Sequence, residues 1–336
     1  MFRILQNTKI DFIKRWRIVA VVMTAFLLPA LIWILALGFT QGIDKSFKMG
    51  IEFTGGTAVQ YKFPTAPDIE RVRSTVTRAG FGGAEVQTFG APNLIVVRAQ
   101  EREQAATGGA ETAAQSITAA LRTEFADNTP TVDRTDAVSP RVGAELRRNA
   151  IIAMLISFAV TLLYLAWRFD ARLALASVLA NVHDIFATFA FIRYMNIEMT
   201  LFVVGGILTV IGYSLADKVV VFDRVRELLK KNVKRPLTDT LNVAINETLP
   251  RTVMTGSTVI ACLLALIFLG GEVLRPFALV LLFGIIIGTF SSIYVASPLL
   301  LLIERKWPRN EGETKGMSRA LSEERKKDRA DTVATR

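Results

Sequence analysis

Six predominantly apolar stretches punctuate the chain, at about 18–40, 149–167, 172–194, 200–222, 252–270 and 276–303. Each reaches the length of about 18 or more residues that a helix needs to cross a bilayer. The first, "IVAVVMTAFLLPALIWILALGFT", lacks the short apolar core and small-residue cleavage site of a secretory signal, so it reads as a retained anchor. A polar block, 41–148, separates it from the other five. Within that block the period alternates. "IEFTGGTAVQYKF" (51–63) reads as a strand interrupted at Gly55-Gly56 by a bulge or turn. "PDIERVRSTVTRAG" (67–80) carries Ile69, Val72, Val76 and Ala79 at helical spacing between a Pro and a Gly. "AEVQTFG" and "NLIVVRA" flank Gly-Ala-Pro-Asn as a hairpin. A second helix over 109–126 and an extended "TVDRTDAVS" complete the order βαββαβ, which predicts a split-βαβ, ferredoxin-like α+β domain with one small core. The fold class expected is therefore an α-helical polytopic membrane protein of six transmembrane helices, with that domain between helices 1 and 2.

Two further segments flank the spans. The stretch 223–251 places Leu228, Leu229, Val233, Leu237, Leu241 and Ile245 on one side and Lys and Arg on the other, and Pro236 splits it. That pattern predicts an amphipathic segment along the membrane surface. The tail from about 308 is charged and poor in aromatics, as disordered tails are.

Composition agrees with a membrane protein: 51% of residues are hydrophobic, and the mean hydropathy is +0.38. The net charge of +10 admits either nucleic acid or the positive-inside rule. Its distribution favours the second. With an inside N-terminus, segments 1–17, 168–172, 223–251 and 304–336 hold 24 basic and 13 acidic residues, whereas 41–148 holds 13 of each. Both termini are then cytoplasmic and the large loop periplasmic, and nucleic-acid binding loses its support. A single Cys262 and a single His183 exclude an internal disulfide, a cysteine zinc site and a multi-histidine metal site. No Walker loop or nucleophile elbow is present, so neither an enzyme nor a cofactor is expected.

Ionisable groups inside the spans carry the candidate chemistry, because each costs about 2.5–3.5 kcal/mol at mid-bilayer and calls for a partner. Asp217 shares an i, i+3/i+4 path with Gly206, Thr209 or Val210, and Tyr213, a face suited to helix packing or a thin water path. One reading is a carboxylate that gains and loses a proton; the other is a helix-end residue paired with cations. Lys218, about 100° around the helix, is expected to snorkel inward. His183 and Asp184, with Ala180 and Ala187 on the Asp184 face, serve either proton passage or polar helix contacts. Arg251, in "NETLPRTVMTGST", is either a positive-inside flank or the counter-ion of Asp217, with Asn246, Thr252, Thr255 and Ser257 available for a polar path. Gly284, Gly288, Ser292 and Ala296 form a small-xxx-small packing stripe. Gly55 and Gly56 are a strand bulge or a partner contact.

Together, "GIEFTGGT", "HD", "IGYSLADKVVVFDRVRE" and "NETLPRTVMT" resemble the SecD/SecF family of bacterial protein-export membrane proteins, relatives of the resistance-nodulation-division transporters, over about residues 10–304. The resemblance implies six helices that pair with six of a separate SecD chain in the inner membrane. It also implies a periplasmic domain, a SecYEG translocon partner, unfolded preprotein as substrate, and use of the proton-motive force. It places Asp217 and Arg251 on the family's proton-handling acid and arginine. The usual Asn before that acid is Ala216 here, and the usual Asp before "FTGG" is Glu52. The first departure removes a hydrogen-bond partner of Asp217; the second keeps the fold. Two rivals differ in what they predict. A proton-coupled efflux half-transporter needs a large outer ligand cleft, and a passive translocon scaffold tolerates Asn or Ala at 217.

Overall fold

The computed structural model describes residues 8–41, 46–99, 109–231 and 235–308. Six helices in it are long and apolar enough to cross a membrane. The predicted strand over 51–63 divides. Ile51–Thr54 forms one helical turn, α2, and strand β1 runs Gly56–Lys62. The reason lies at Gly55, whose φ of 73° turns the chain and whose missing side chain admits Pro140, 2.6 Å from where a Cβ would stand. There is no bulge at the glycines; the register shift in this strand lies between Gln60 and Tyr61.

Helix α3 (Ile69–Arg78) begins at Asp68, whose carboxylate accepts the Glu70 N–H at 3.0 Å. Strands β2 (Glu85–Phe89) and β3 (Ala91–Ala99) meet more tightly than predicted: Gly90, at φ 75°, makes the turn, and Ala91-Pro92-Asn93 belongs to β3. Helix α4 (Gly109–Glu124) and strand β4 (Thr131–Val138) follow. The sheet order β2-β3-β1-β4, all antiparallel, is that of two split βαβ units. Its core joins Val59, Tyr61, Ile95 and Val97 to Val72, Val76, Ile117 and Leu121 of the two helices. Tyr61 meets the Thr118 hydroxyl at 3.0 Å, and burial pushes its pKa up to about 12.

The spans are α1 (Trp16–Gln41), α5 (Pro140–Arg168), α6 (Ala171–Tyr194), α7 (Leu201–Lys231), α8 (Leu237–Leu269) and a last unit. In that unit α9 (Gly271–Ser291) passes through a π-helical turn, Ser292–Ala296, into α10 (Ser297–Lys306). α5 starts nine residues before the apolar run that predicted it. Ser139 caps it and Pro140 takes its first turn, so the loop domain ends at 139. α6, α7 and α9 are about half buried, whereas α1, α5 and α8 turn most of their surface outward.

The stretch 223–251 is not a surface helix. Its two halves are coaxial extensions of α7 and α8, with Pro236 just before α8. Leu241 and Ile245 are buried with Phe12, Ile13, Val221 and Leu300, so protein covers the apolar face that lipid headgroups were expected to meet. Val233 and the tail beyond 308 lie outside the described residues.

The sheet domain is fixed to the bundle at several points. Phe53 of α2 is buried among Ile192, Met199 and Val203. The Gly50 N–H donates to the Met199 carbonyl at 2.8 Å, and the Met199 N–H donates to the Lys48 carbonyl at 2.7 Å. Arg98 of β3 pairs with Glu198 at 2.6 Å, and Lys48 with Glu85 at 2.5 Å.

Candidate functional site

α6, α7 and α9 meet along small residues, and this lets polar groups from all three converge. On α9, a Cβ at Gly284 would fall within the methyl groups of Val210, and one at Gly288 would lie 3.0 Å from the Ser214 Cβ. The stripe foreseen on the last span therefore brings α7 and α9 backbones together, and Ser292, fully buried, starts the π-helical turn below it.

Asp217 is 7% exposed at this junction, and the Thr289 hydroxyl of α9 donates to its Oδ2 at 2.9 Å. Among the described residues no cation is within ion-pair distance of it. Arg251 is not its partner here; it is exposed and faces a cavity at the end of the bundle away from the sheet. The two are nevertheless close in depth. Tyr213 faces Gly256, and Arg224 reaches Glu247 at 2.6 Å, so the antiparallel α7–α8 register puts Asp217 level with about Thr252.

Lys218 departs from expectation. It is fully buried, and its ammonium bonds Asp184 of α6 at 2.5 Å and also the Ser214 hydroxyl. Snorkelling would have left Asp184 without a cation in a low-dielectric site, and the pair removes that penalty. Asp184, 1% exposed, further accepts from Ser214 and meets His183 Nδ1 at 3.0 Å. His183 Nε2 and both amide atoms of fully buried Asn181 have no hydrogen-bond partner among the described residues. Ser291 of α9 reaches the Ala180 carbonyl at 3.5 Å, closing the three-helix junction.

The remaining predicted residues are placed differently. Thr209 bonds the Gly205 carbonyl and is exposed, whereas Gly206 and Val210 are packed against Phe277 and Gly284, so that part of the face is filled by helix. Thr255 and Ser257 bond carbonyls of their own helix, Thr252 is buried, and Asn246 holds residue Ile10. Gly55 and Gly56 sit at the α2–β1 turn, Gly55 lies against Pro140, and Gly143 in turn admits the Gly55 amide, 2.8 Å from where its Cβ would be. The contact that Gly55 makes within this chain is with α5. Three participants escaped the sequence reading: Thr289, Ser214 and Lys218 as an anchor. Thr289 lay in plain view beside Gly288 in the small-residue stripe, but helical spacing does not say which neighbour a hydroxyl meets. No group of His, Cys, Asp and Glu among the described residues could hold a metal ion.

Comparison with known proteins agrees with this architecture. Residues 117–306 match the family model "Protein export membrane protein SecD/SecF, C-terminal". The chain is 50% identical over 312 residues to protein translocase subunit SecF of Gemmatimonas aurantiaca, covering 92% of this chain and 91% of that one. It is 38% identical over 301 residues to SecF of Vibrio alginolyticus, covering 90% and 92%. Among solved structures it is similar to SecDF of Thermus thermophilus, described as a translocon-associated membrane protein, with TM-score 0.76 and 31% identity. That match covers 91% of this chain and 40% of the SecDF chain. A structure of SecDF in a super-membrane-facing form matches with TM-score 0.63 and 33% identity. On the shared fold, the matched span and identity over nine-tenths of its length, the chain belongs to the SecF branch of the SecD/SecF family.

Proposed function

We propose that this chain is the SecF-type subunit of a SecD–SecF assembly in the bacterial inner membrane, and that it uses the proton-motive force to assist preprotein movement through the Sec translocon. It has no enzymatic activity of its own in this reading. Its relatives carry the name of translocase subunits, and the solved SecDF chain contains a larger remainder that a separate SecD partner would supply. The basic excess supports an orientation with both termini in the cytoplasm and the sheet domain in the periplasm.

One observation carries the proton coupling. Asp217 is a buried carboxyl in a membrane-spanning helix whose direct partner is a hydroxyl, not a cation. A carboxyl so placed tolerates the neutral form well, since Thr289 can turn its hydroxyl to accept as readily as to donate. Asp184 is the contrast. An ammonium, a hydroxyl and an imidazole surround it, and in this proposal it and His183 fasten α6 to α7. Arg251 stands in the cavity within reach of the level of Asp217, so an approach on deprotonation supplies the counter-charge that the resting arrangement lacks. Alternation between the two states changes how α7 packs on α8 and α9, and the rigid joint above α7 carries that change to the periplasmic domain. One proton moving through about 100 mV supplies about 2.3 kcal/mol, the size of a typical coupling free energy.

The decisive measurement is preprotein translocation in membrane vesicles carrying Asp217→Asn. The gradient-dependent part should disappear while the complex still assembles; undiminished gradient-dependent translocation refutes the assignment. Copurification in mild detergent should bring down a distinct SecD-like chain.

A further inference from the structure

Between the inner ends of α7 and α8 lies a cavity of about 1360 Å³, open to the cytoplasm in the orientation proposed above. Val220 and Arg251 line its upper part, Val220 less than one helical turn below Asp217, so the cavity reaches close to the level of that acid. Asp11, Asp223, Glu227, Asp239 and Glu247 face it with Lys9, Arg224 and Arg251, and three of the acids are ion-paired, Asp223 to Arg168, Glu227 to Arg224 and Lys231, and Glu247 to Arg224. One wall is not a helix. It is the N-terminal segment Thr8–Asp11, which crosses the end of α8.

Two asparagines one turn apart on α8 hold that segment. Asn246 accepts the Ile10 N–H at 3.0 Å and donates to the Ile10 carbonyl at 2.8 Å, pairing with it as a neighbouring strand would. Asn242 accepts the N–H groups of both Phe12 and Ile13, each at 3.1 Å, and donates to Asp11 at 2.9 Å. Those two amides open the helical run into α1 and have no partner within it, so Asn242 caps α1 from another helix. Phe12 and Ile13 are buried on the far side against Leu241 and Ile245, which anchors the strap beyond the clamp. Asn246 reads only the backbone of Ile10, and Asn242 adds the Asp11 carboxylate to two backbone amides, so the strap is fixed in register without demands on its side chains at Lys9 and Ile10.

We propose that Asn242 and Asn246 are positioning residues of the proton route: they hold residues 8–13 as the wall of a charged vestibule and so direct water to Arg251 and the inner side of Asp217 through its mouth. This deepens the proton-coupled reading and rests on it. A strap released from the clamp opens the vestibule sideways, and the charged lining no longer borders the approach to Arg251 along that side.

The test has two parts, both in the intact complex with Cys262→Ser. First, Val220→Cys is labelled with a membrane-impermeant maleimide from the cytoplasmic side. Adding Asn242→Ala and Asn246→Ala should raise the labelling rate at least about ten-fold, since several hydrogen bonds are lost. An unchanged rate overturns the wall. This readout does not depend on whether Asp217 exchanges protons, so it separates failure of this inference from failure of the proton reading. Second, Ile10→Cys/Asn246→Cys, which lacks the amide, should lose gradient-dependent translocation and regain it when a short bis-maleimide joins the two cysteines. The bridge restores the wall in the same folded protein. Full translocation before bridging, or no recovery after it, overturns the positioning role.

Discussion

Asp217 and Lys218 are adjacent in sequence and about 100° apart around α7, so one faces α9 and the other α6. That angle separates their chemistry. Asp217 meets a hydroxyl, while Lys218 is tied to Asp184 with no exposure to solvent. Lys218→Met alone should therefore be costly, about 3–5 kcal/mol, because Asp184 remains buried without its cation. Lys218→Met with Asp184→Leu should recover most of the loss, as apolar replacement of a whole buried pair is close to neutral. Thermal unfolding of the detergent-solubilised complex measures both, and equal loss in the single and double variants would contradict the fastener role. From the sequence, depth alone made these residues conspicuous. It could not assign partners, because Thr289 lies 72 positions from Asp217 and Asp184 lies 34 from Lys218.

At the level of elements, the small-residue stripe of α9 was legible as a stripe, and its facing residues were not. The stripe meets Val210 and Ser214, and the second contact leaves Ser214 between α9 and Asp184. Gly284→Ala puts a methyl group where Val210 already stands, and overpacking of this kind costs about 1–3 kcal/mol. Adding Val210→Ala should return more than half of it, a coupling that a double-mutant cycle on thermal stability detects. Additive effects would mean the helices do not touch there. The same scale explains why the 223–251 pattern misled: a helix with one apolar face looks alike whether lipid headgroups or protein cover it. Here the N-terminal segment and α10 supply the cover. Gly55-Gly56 shows a related ambiguity, since a Gly-Gly break marks a turn without saying that Pro140, 85 positions on, requires it.

For the whole molecule, the proposed mechanism requires the joint between sheet domain and bundle to carry a change in the helices to the sheet domain. Glu198 sits in that joint. Burial holds its carboxyl above the usual 4.5, with Glu52 and Glu85 adding to the effect and Arg98 and Lys48 opposing it. A raised acid pKa means that the closed joint binds the proton more tightly than an open one. Its contribution is greatest below 4.5 and fades as pH climbs through the raised value, then levels off. Hydrogen exchange at the Gly50 and Met199 amides, corrected for the intrinsic rate at each pH, should report looser closure on the alkaline side of that window. Glu198→Gln should flatten the dependence; a profile identical to the parent would rule Glu198 out as its source.

The sequence by itself determined six spans, a βαββαβ domain between the first two, and the acids, lysine and arginine that lipid burial makes expensive. These follow from the local period of apolar residues and from the transfer cost of a charge, neither of which needs a partner to be known. Only the tertiary structure decided which acid is tied to a cation and which to a hydroxyl, that Arg251 faces an open cavity, and that Thr8–Asp11 forms one wall of it. Each of those pairings joins residues from different helices, and a pairing between distant segments is fixed by packing that no local period records.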